Sequence, residues 1–347
     1  MTKLIESKLH TVEMRFSDNV VYKLSVAENE SILSAALAHD VPILHQCQSG
    51  SCGTCLTHLS SGDAQMDKGT AASLLKSERD AGMRLACITH ASSDCIFEFD
   101  YTSTVGDATI SKATLFIDNI EWVSEDVVHL TTELAEEDWF EFKSGQFIQM
   151  QIPGTNELRL YSMSSTPAEL PIIKFFIRIL PNGAMSDYLR NNAKVDDIIS
   201  VDGAFGSFFL REDNPRVPHI MVAGGTGLAP IMSLIDNIKN KNGIKPDILL
   251  SFGCRNMDSL FYSDDLQLRM DWMPTLDVRI SVNEGNRPEN ILLGNPVDAL
   301  QASDVRDEDT VAYLCGPPGM VKYARSTLEG FGVKPDNIYV EQFIPSE

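Results

Sequence analysis

The sequence predicts a multidomain protein of mixed α+β and α/β class: an α+β unit, then an antiparallel β-barrel, then a doubly wound parallel sheet. Three observations predict it. Five of the seven cysteines crowd into the first hundred residues, among two alternating strands and a helical repeat. Six strand patterns broken by Pro, Gly and Asn turns follow, and from residue 217 strands alternate with helices across glycine loops. A length of 347 residues accommodates three modest domains, with boundaries expected at 1–106, 107–213 and 214–347.

In the first unit, HTVEMRFSD and VVYKLSV alternate as strands turned at Asp18 and Asn19, and ESILSAALAHD has helical spacing behind a polar start. A loop of small residues holds three cysteines. A helix candidate around residues 70–80 precedes Cys87, and CIFEFDY closes the unit as a strand. Residues 103–111, STVGDATIS, are small, polar and unpatterned, which predicts a linker. The barrel strands are KATLFIDNIEWV, VVHLTTEL, FIQMQIP, ELRLYSM, IIKFFIRIL and DIISVDG, with one helix, AMSDYLRNN, after Pro181, Asn182 and Gly183. In the last unit PHIMVAGGTG leads into the helix LAPIMSLIDNIKN, and DILLSFG, LDVRISV, TVAYLCG and DNIYVEQF supply the remaining strands.

Charge narrows the function. With 28 Lys+Arg against 49 Asp+Glu the net charge is −21, and no run of Lys or Arg exceeds two residues, so nucleic acid is not an expected partner. A hydrophobic share of 43% suffices for ordinary cores. No stretch approaches the ~18 apolar residues of a membrane span, and the first residues lack the apolar core of a signal peptide. A soluble, cytoplasmic protein is expected, in which the cysteines stay reduced rather than forming a disulfide framework.

Cys47, Cys52, Cys55 and Cys87 are spaced C-x4-C-x2-C with the fourth after 31 intervening residues, the plant-type 2Fe-2S spacing. Such a cluster carries negative charge that backbone N–H groups must meet, and Gly50, Ser51, Gly53 and Thr54 let the main chain wrap closely. A structural zinc site is the alternative, although zinc ribbons favour two CxxC pairs and only one is present. A Rieske centre is excluded because no Cys-x-His pair occurs. Cys95 reads as a packed thiol.

On the barrel strand containing Arg159, Tyr161 and Ser162, alternation puts Arg159 and Tyr161 on one face. Gly183, Ala184, Met185 and Ser186 open the barrel's helix, where free N–H groups favour an anion. An arginine plus a helix N-terminus suits a pyrophosphate; a plain loop before a surface helix is the alternative. Gly224, Gly225, Thr226 and Gly227 follow a strand and open a helix with Pro230 near its first turn, a nucleotide signal that is weak by itself. Cys315 and Gly316 end another strand at the same sheet edge, where such folds bind ligands.

Taken together, the cysteine spacing, RLYS, GGTGLAP and CGPP, in this order, resemble the reductase components of bacterial aromatic-ring oxygenases over essentially the whole chain, the benzoate and anthranilate dioxygenase reductases above all. The resemblance implies a ferredoxin β-grasp domain, an FAD-binding barrel and an NAD-binding domain, with a 2Fe-2S cluster on the four cysteines. It implies that Arg159 holds the FAD pyrophosphate together with residues 183–186, Tyr161 stacks near the isoalloxazine, and Ser162 approaches flavin N5. Gly224 to Pro230 would meet the nicotinamide dinucleotide and Cys315 would lie beside the nicotinamide, although a buried packing thiol is the alternative there. Phe343 would cover the flavin or, as an equal alternative, serve as a last-strand core residue. One departure is Gly203-Ala204-Phe205-Gly206, where the family usually has Gly-Pro-Phe-Gly.

The function implied is passage of hydride from NADH to FAD and of single electrons through the cluster to a terminal oxygenase, expected to be Rieske-type, without a free ferredoxin. Arg255 and Asp258 follow DILLSFG where the ribose 2′ position is read; they pull in opposite directions, and NADH over NADPH is the expectation. The runners-up are a reductase of a diiron monooxygenase or of a deoxysugar dehydratase and, from another class, a redox-sensing or zinc-stapled interaction module without turnover.

Overall fold

Alternating apolar residues make the first strands. In the computed structural model, which describes all residues except 1–7, 46–49, 51–52, 68–73, 75, 107–110, 137–139, 207, 211–215 and 344–347, β1 (Leu9–Phe16) turns every second side chain, Val12, Met14 and Phe16 among them, into a core. It pairs with β2 (Val21–Ala27) across a turn in which Asn19 takes a positive φ of 65°. Ser31 caps α1 (Ile32–Ala38) by accepting the Ser34 N–H, and Ile32, Leu33 and Ala36 bury the apolar face. Then come β3 (Leu56–Ser61), β4 (Ala64–Met66), α2 (Lys76–Asp80), β5 (Met83–Leu85), β6 (Thr89–Ala91) and β7 (Cys95–Phe99). The main sheet has the order β2-β1-β7-β3-β5, and β4 pairs with β6. Of the helix expected around 70–80, only the end is seen as α2, the rest lying partly outside the described residues.

The start of the expected linker is structured. Ser103 opens a helical turn, α3 (Ser103–Gly106), because Asp18 accepts both its N–H (3.0 Å) and its hydroxyl (2.7 Å). A polar, unpatterned sequence hid this clasp because its partner is distant in the chain.

The barrel sheet runs β11-β10-β13-β8-β9-β12, built from β8 (Ser111–Trp122), β9 (Val127–Leu134), β10 (Phe147–Gln151), β11 (Leu158–Ser162), β12 (Ile172–Arg178) and β13 (Ile198–Phe205). Its helix is α4 (Ala184–Asn191). The parallel sheet has the order β17-β16-β15-β14-β18-β19. Its elements are β14 (His219–Gly224), α5 (Leu228–Asn240), β15 (Ile248–Cys254), α6 (Ser263–Trp272), β16 (Leu276–Val282), β17 (Leu292–Leu293), β18 (Val311–Gly316), α7 (Pro318–Gly330) and β19 (Ile338–Gln342).

The chain divides into two units: Met1–Thr109 with Phe205–Ser207, and Ile110–Ala204 with Phe208–Glu347. The second joins barrel and parallel sheet. A shared core explains why, since Val127 and Phe176 of the barrel pack with Met221, Ile235 and Phe252 of the sheet and its helix. Phe176 also meets the rings of Phe261 and Tyr262 edge-on at 5.0 and 4.8 Å. No helix among the described residues is long and apolar enough to cross a membrane.

Candidate functional site

Cys55 and Cys87 come together in the first unit. Cys55 is buried just before β3, and Cys87 sits in a single 3-10 turn, Ala86–Ile88. The Cys87 N–H donates to Cys55 Sγ at 3.4 Å, and the Ala86 N–H donates to the Cys55 carbonyl at 2.9 Å. A sulfur already receiving a backbone N–H fits the thiolate of an iron–sulfur site, whose negative charge such donors offset. Gly50 and Gly53 have φ of 78° and 75°, the left-handed turns that a wrapping loop requires. Cys47 and Cys52 lie outside the described residues. The Cys95 thiol donates to the carbonyls of Asp63 and Ser93, a packed thiol as expected.

In the second unit, β11 is an edge strand paired with β10, so that Tyr161 faces Ile148 and Arg159 faces Met150. Tyr161 packs against the barrel core, and desolvation pushes its hydroxyl above the usual range. Arg159 is ion-paired with Glu157 at 2.6 Å. Gly183 caps α4 without a side-chain cap, Met185 points into the barrel core, and Ser186 Oγ accepts the Leu180 N–H at 2.9 Å. That leaves the N-terminal backbone of α4, with Ala184 in its first turn, to receive an anion.

At the carboxyl ends of the parallel strands, two glycines are required by close approach. A Cβ on Gly227 would lie 2.4 Å from the Cys315 carbonyl oxygen. Gly316 has a φ of 147°, and a Cβ there would meet the Gly224 N at 3.1 Å. Gly225, by contrast, faces open space. Gly227→Ala is therefore expected to destabilise by about 1–3 kcal/mol and to weaken nucleotide binding, because backbone cannot yield as a side chain can. Gly225→Ala, at a φ of 55°, meets only backbone strain. Urea midpoints and NADH titrations of the two variants check the contrast. Thr226 shares this loop, and Pro230 is the third residue of α5, in its first turn.

Cys315 is fully buried, and burial, reinforced by Glu341, pushes its thiol well above the usual value. Its register partner on β19 is Glu341, whose carboxylate oxygen Oε2 accepts the Ser162 hydroxyl at 2.9 Å and the Cys315 thiol at 3.9 Å. One carboxyl thus joins the barrel strand to the parallel sheet. Desolvation raises the Glu341 pKa to about 8, even against the two hydrogen bonds that lower it. Sequence reasoning missed Glu341 as a functional residue, since its partners are 26 and 179 positions away. The Phe343 N–H donates to the Gly316 carbonyl at 3.0 Å, and its ring packs partly buried against the parallel-sheet core.

Arg255 pairs with Glu284 at 3.3 Å, both side chains being exposed, and Asp258 uses its carbonyl to accept the Glu125 N–H of the barrel. Glu284 is a second residue not found from sequence. Arg178, at the end of β12, pairs with Asp126 at 3.3 Å, and both charges are felt at the buried Cys254 thiol, which burial pushes up to about 12.

Residues 16–92 match the 2Fe-2S iron-sulfur cluster binding domain family, 114–210 the oxidoreductase FAD-binding domain family, and 221–326 the oxidoreductase NAD-binding domain family. The chain is 32% identical over 340 residues to the 2-halobenzoate 1,2-dioxygenase electron transfer component of Burkholderia cepacia, covering 97% of this chain and 99% of that one. It is 31% identical to the propane 2-monooxygenase reductase component of a Gordonia species, covering 92% and 94%. Among solved structures, the Amycolatopsis cytochrome P450 reductase GcoB superposes with a TM-score of 0.70 at 24% identity, covering 96% of this chain and 99% of that one, which shows a shared fold.

Proposed function

Because the chain belongs to the family of iron–sulfur flavoprotein reductases that serve oxygenases as electron-transfer components, we propose that its own acceptor is a Rieske-type aromatic-ring dioxygenase, reduced directly from the cluster without a free ferredoxin. The observation that carries this is the presence of the cluster domain and the flavin and nucleotide domains in one chain, matched end to end by a 2-halobenzoate dioxygenase component. The near-equal identity to propane 2-monooxygenase reductase components favours a monooxygenase as the second reading. When bound, the cofactors supply the conversion of a two-electron donor, NADH, through FAD into single electrons at the 2Fe-2S cluster, chemistry that needs orientation from the protein more than acid or base groups.

The residues divide that work. Cys47, Cys52, Cys55 and Cys87 hold the cluster. Arg159, with the helix start at Gly183–Ser186, would hold the FAD pyrophosphate, giving up its pairing with Glu157 to do so. Tyr161 and Phe343 would border a bound flavin, and Ser162, held by Glu341, would stand on the side of its reacting nitrogen. Gly224–Gly227, Pro230, Gly316 and Cys315 let the dinucleotide lie against the sheet edge, where a side chain at Gly227 would intrude.

Arg255 and Glu284 set the nucleotide preference. A glutamate beside Arg255 neutralises the cation that a 2′-phosphate needs, and the net charge of −21 adds no attraction. kcat/KM for NADH should exceed that for NADPH by more than about tenfold, and Glu284→Gln should narrow the gap. Equal values for both nucleotides in the unaltered protein would refute the assignment.

The deciding assay for the acceptor mixes the purified protein with candidate oxygenases and follows NADH-driven product. Hydroxylation by a Rieske dioxygenase without added carrier is expected, and strict dependence on a third protein would sink the proposal. Residues 1–106 hold 8 Lys+Arg and 13 Asp+Glu, a charge of −5, so rising salt should slow association with a basic patch on the partner.

A further inference from the structure

Helix α5 carries one hydroxyl on a face otherwise made of Leu228, Ile231, Met232, Leu234, Ile235 and Ile238. Ser233 is fully buried there. A helical serine commonly turns its hydroxyl back to the carbonyl one turn earlier. Ser233 instead donates out of its helix, to the carbonyl of Ser165 in the barrel, at 2.6 Å. Ser165 is itself buried and is held in place, since its own hydroxyl accepts the Lys174 N–H at 3.0 Å while the Ser164 N–H donates to the Lys174 carbonyl at 2.8 Å.

The two ends of this short segment are therefore tied to the parallel-sheet half at separate points. Ser162 bonds to Glu341 on β19, and Ser165 bonds to Ser233 on α5. The first turn of α5 follows directly on Gly224–Gly227. A helix is stiff over five residues, a rise of about 7 Å. The Ser233 bond thus references the glycine loop to the end of β11. Such a bond is local, directional and shielded from water, so it sets a distance that apolar packing alone leaves softer.

We propose that Ser233 is a positioning residue for hydride transfer: its hydrogen bond to the Ser165 carbonyl sets the spacing between the loop that carries NADH and the strand that places Ser162 at the flavin. This rests on the assignment of the glycine loop and β11 to those cofactors. In the step concerned, the C4–H bond of NADH breaks and the hydrogen leaves with its electron pair for flavin N5, leaving NAD+; a small error in the approach of the reacting atoms slows it steeply.

The test uses the full chain with FAD and cluster bound, mixed anaerobically with NADH in a stopped-flow instrument. Ser233→Ala should lower the limiting rate of flavin bleaching about five- to thirtyfold, change the NADH Kd less than twofold, and weaken the long-wavelength charge-transfer absorbance of the nicotinamide–flavin pair. In protein stripped of FAD, deuterium uptake at residues 162–166 should rise. Ser233→Cys keeps the packed volume with a weaker donor and should fall between the two; it carries the decision if melting shows the alanine variant poorly folded. A limiting rate and charge-transfer band unchanged in the folded variants, with only a lower Tm, would overturn the proposal. Ser162→Ala tests the underlying assignment separately: if it leaves flavin bleaching unaltered, the reading of β11 fails whatever Ser233 does.

Discussion

Replacing Cys55 by serine abolishes the cluster's visible absorption and stops single-electron delivery to the oxygenase, while NADH still bleaches the flavin. Cys55 is the described ligand candidate set deepest in the protein, buried beside β3 and receiving the Cys87 N–H on its sulfur. A serine hydroxyl in that place is a harder, far less acidic ligand than a thiolate, and the N–H donor would face an oxygen not placed to meet it. The loss should exceed about a hundredfold in turnover with any one-electron acceptor that takes electrons from the cluster. Direct flavin reduction should change less than twofold, because the FAD- and NAD-binding families match separate stretches of the chain. Iron and flavin content of the purified variant give the check. Two irons retained per chain would remove Cys55 from the ligand set, and loss of FAD together with iron would contradict the independence of the two sites.

Much of this architecture is legible because the local signals agree. The barrel strand VVHLTTEL and the helix LAPIMSLIDNIKN appear in the structure with the same limits as their sequence patterns, since a stretch rich in β-branched residues in the first and a long apolar face behind a glycine loop in the second leave no competing conformation. The candidate cluster ligands stand out in the sequence for another reason, that the chemistry of such a cluster constrains the spacing of its cysteines. What stays hidden is pairwise. Glu341 looks like an ordinary last-strand residue until the parallel register sets it opposite Cys315 and the fold brings Ser162 to it. Glu284 is unremarkable until it reaches Arg255, a pairing of two exposed side chains that sequence pattern does not report. Ser103 reads as linker because the carboxylate that orders it, Asp18, lies 85 positions earlier. Periodicity reports which face of an element is buried, but not which buried polar group meets which.

Glu341 carries the second large effect. With its pKa raised to about 8 by desolvation, the carboxyl is mostly protonated at neutral pH, and it touches the Ser162 hydroxyl at 2.9 Å. A neutral acid behind a hydroxyl can hold or pass a proton toward whatever Ser162 faces, and burying it neutral also avoids placing a carboxylate beside the Cys315 thiol. Glu341→Gln keeps the shape and removes the titrating proton; flavin reduction by NADH should slow about tenfold to a hundredfold. In the unaltered protein the rate should fall as pH rises through about 8, whereas the glutamine variant should show no such decline. Stability follows the same group with a definite sign. The folded state holds this proton more tightly than the unfolded chain, whose carboxyl titrates near 4.5, so the contribution is complete below that pH, shrinks as pH rises, and is lost through about 8. Melting curves at about pH 6 and pH 9 should accordingly show a drop in Tm for the unaltered protein beyond that of Glu341→Gln. Parallel pH profiles of rate and Tm in the two proteins would show that Glu341 is not the titrating group. A slow, pH-independent variant whose Tm matches the unaltered protein at low pH would locate both effects at this one carboxyl.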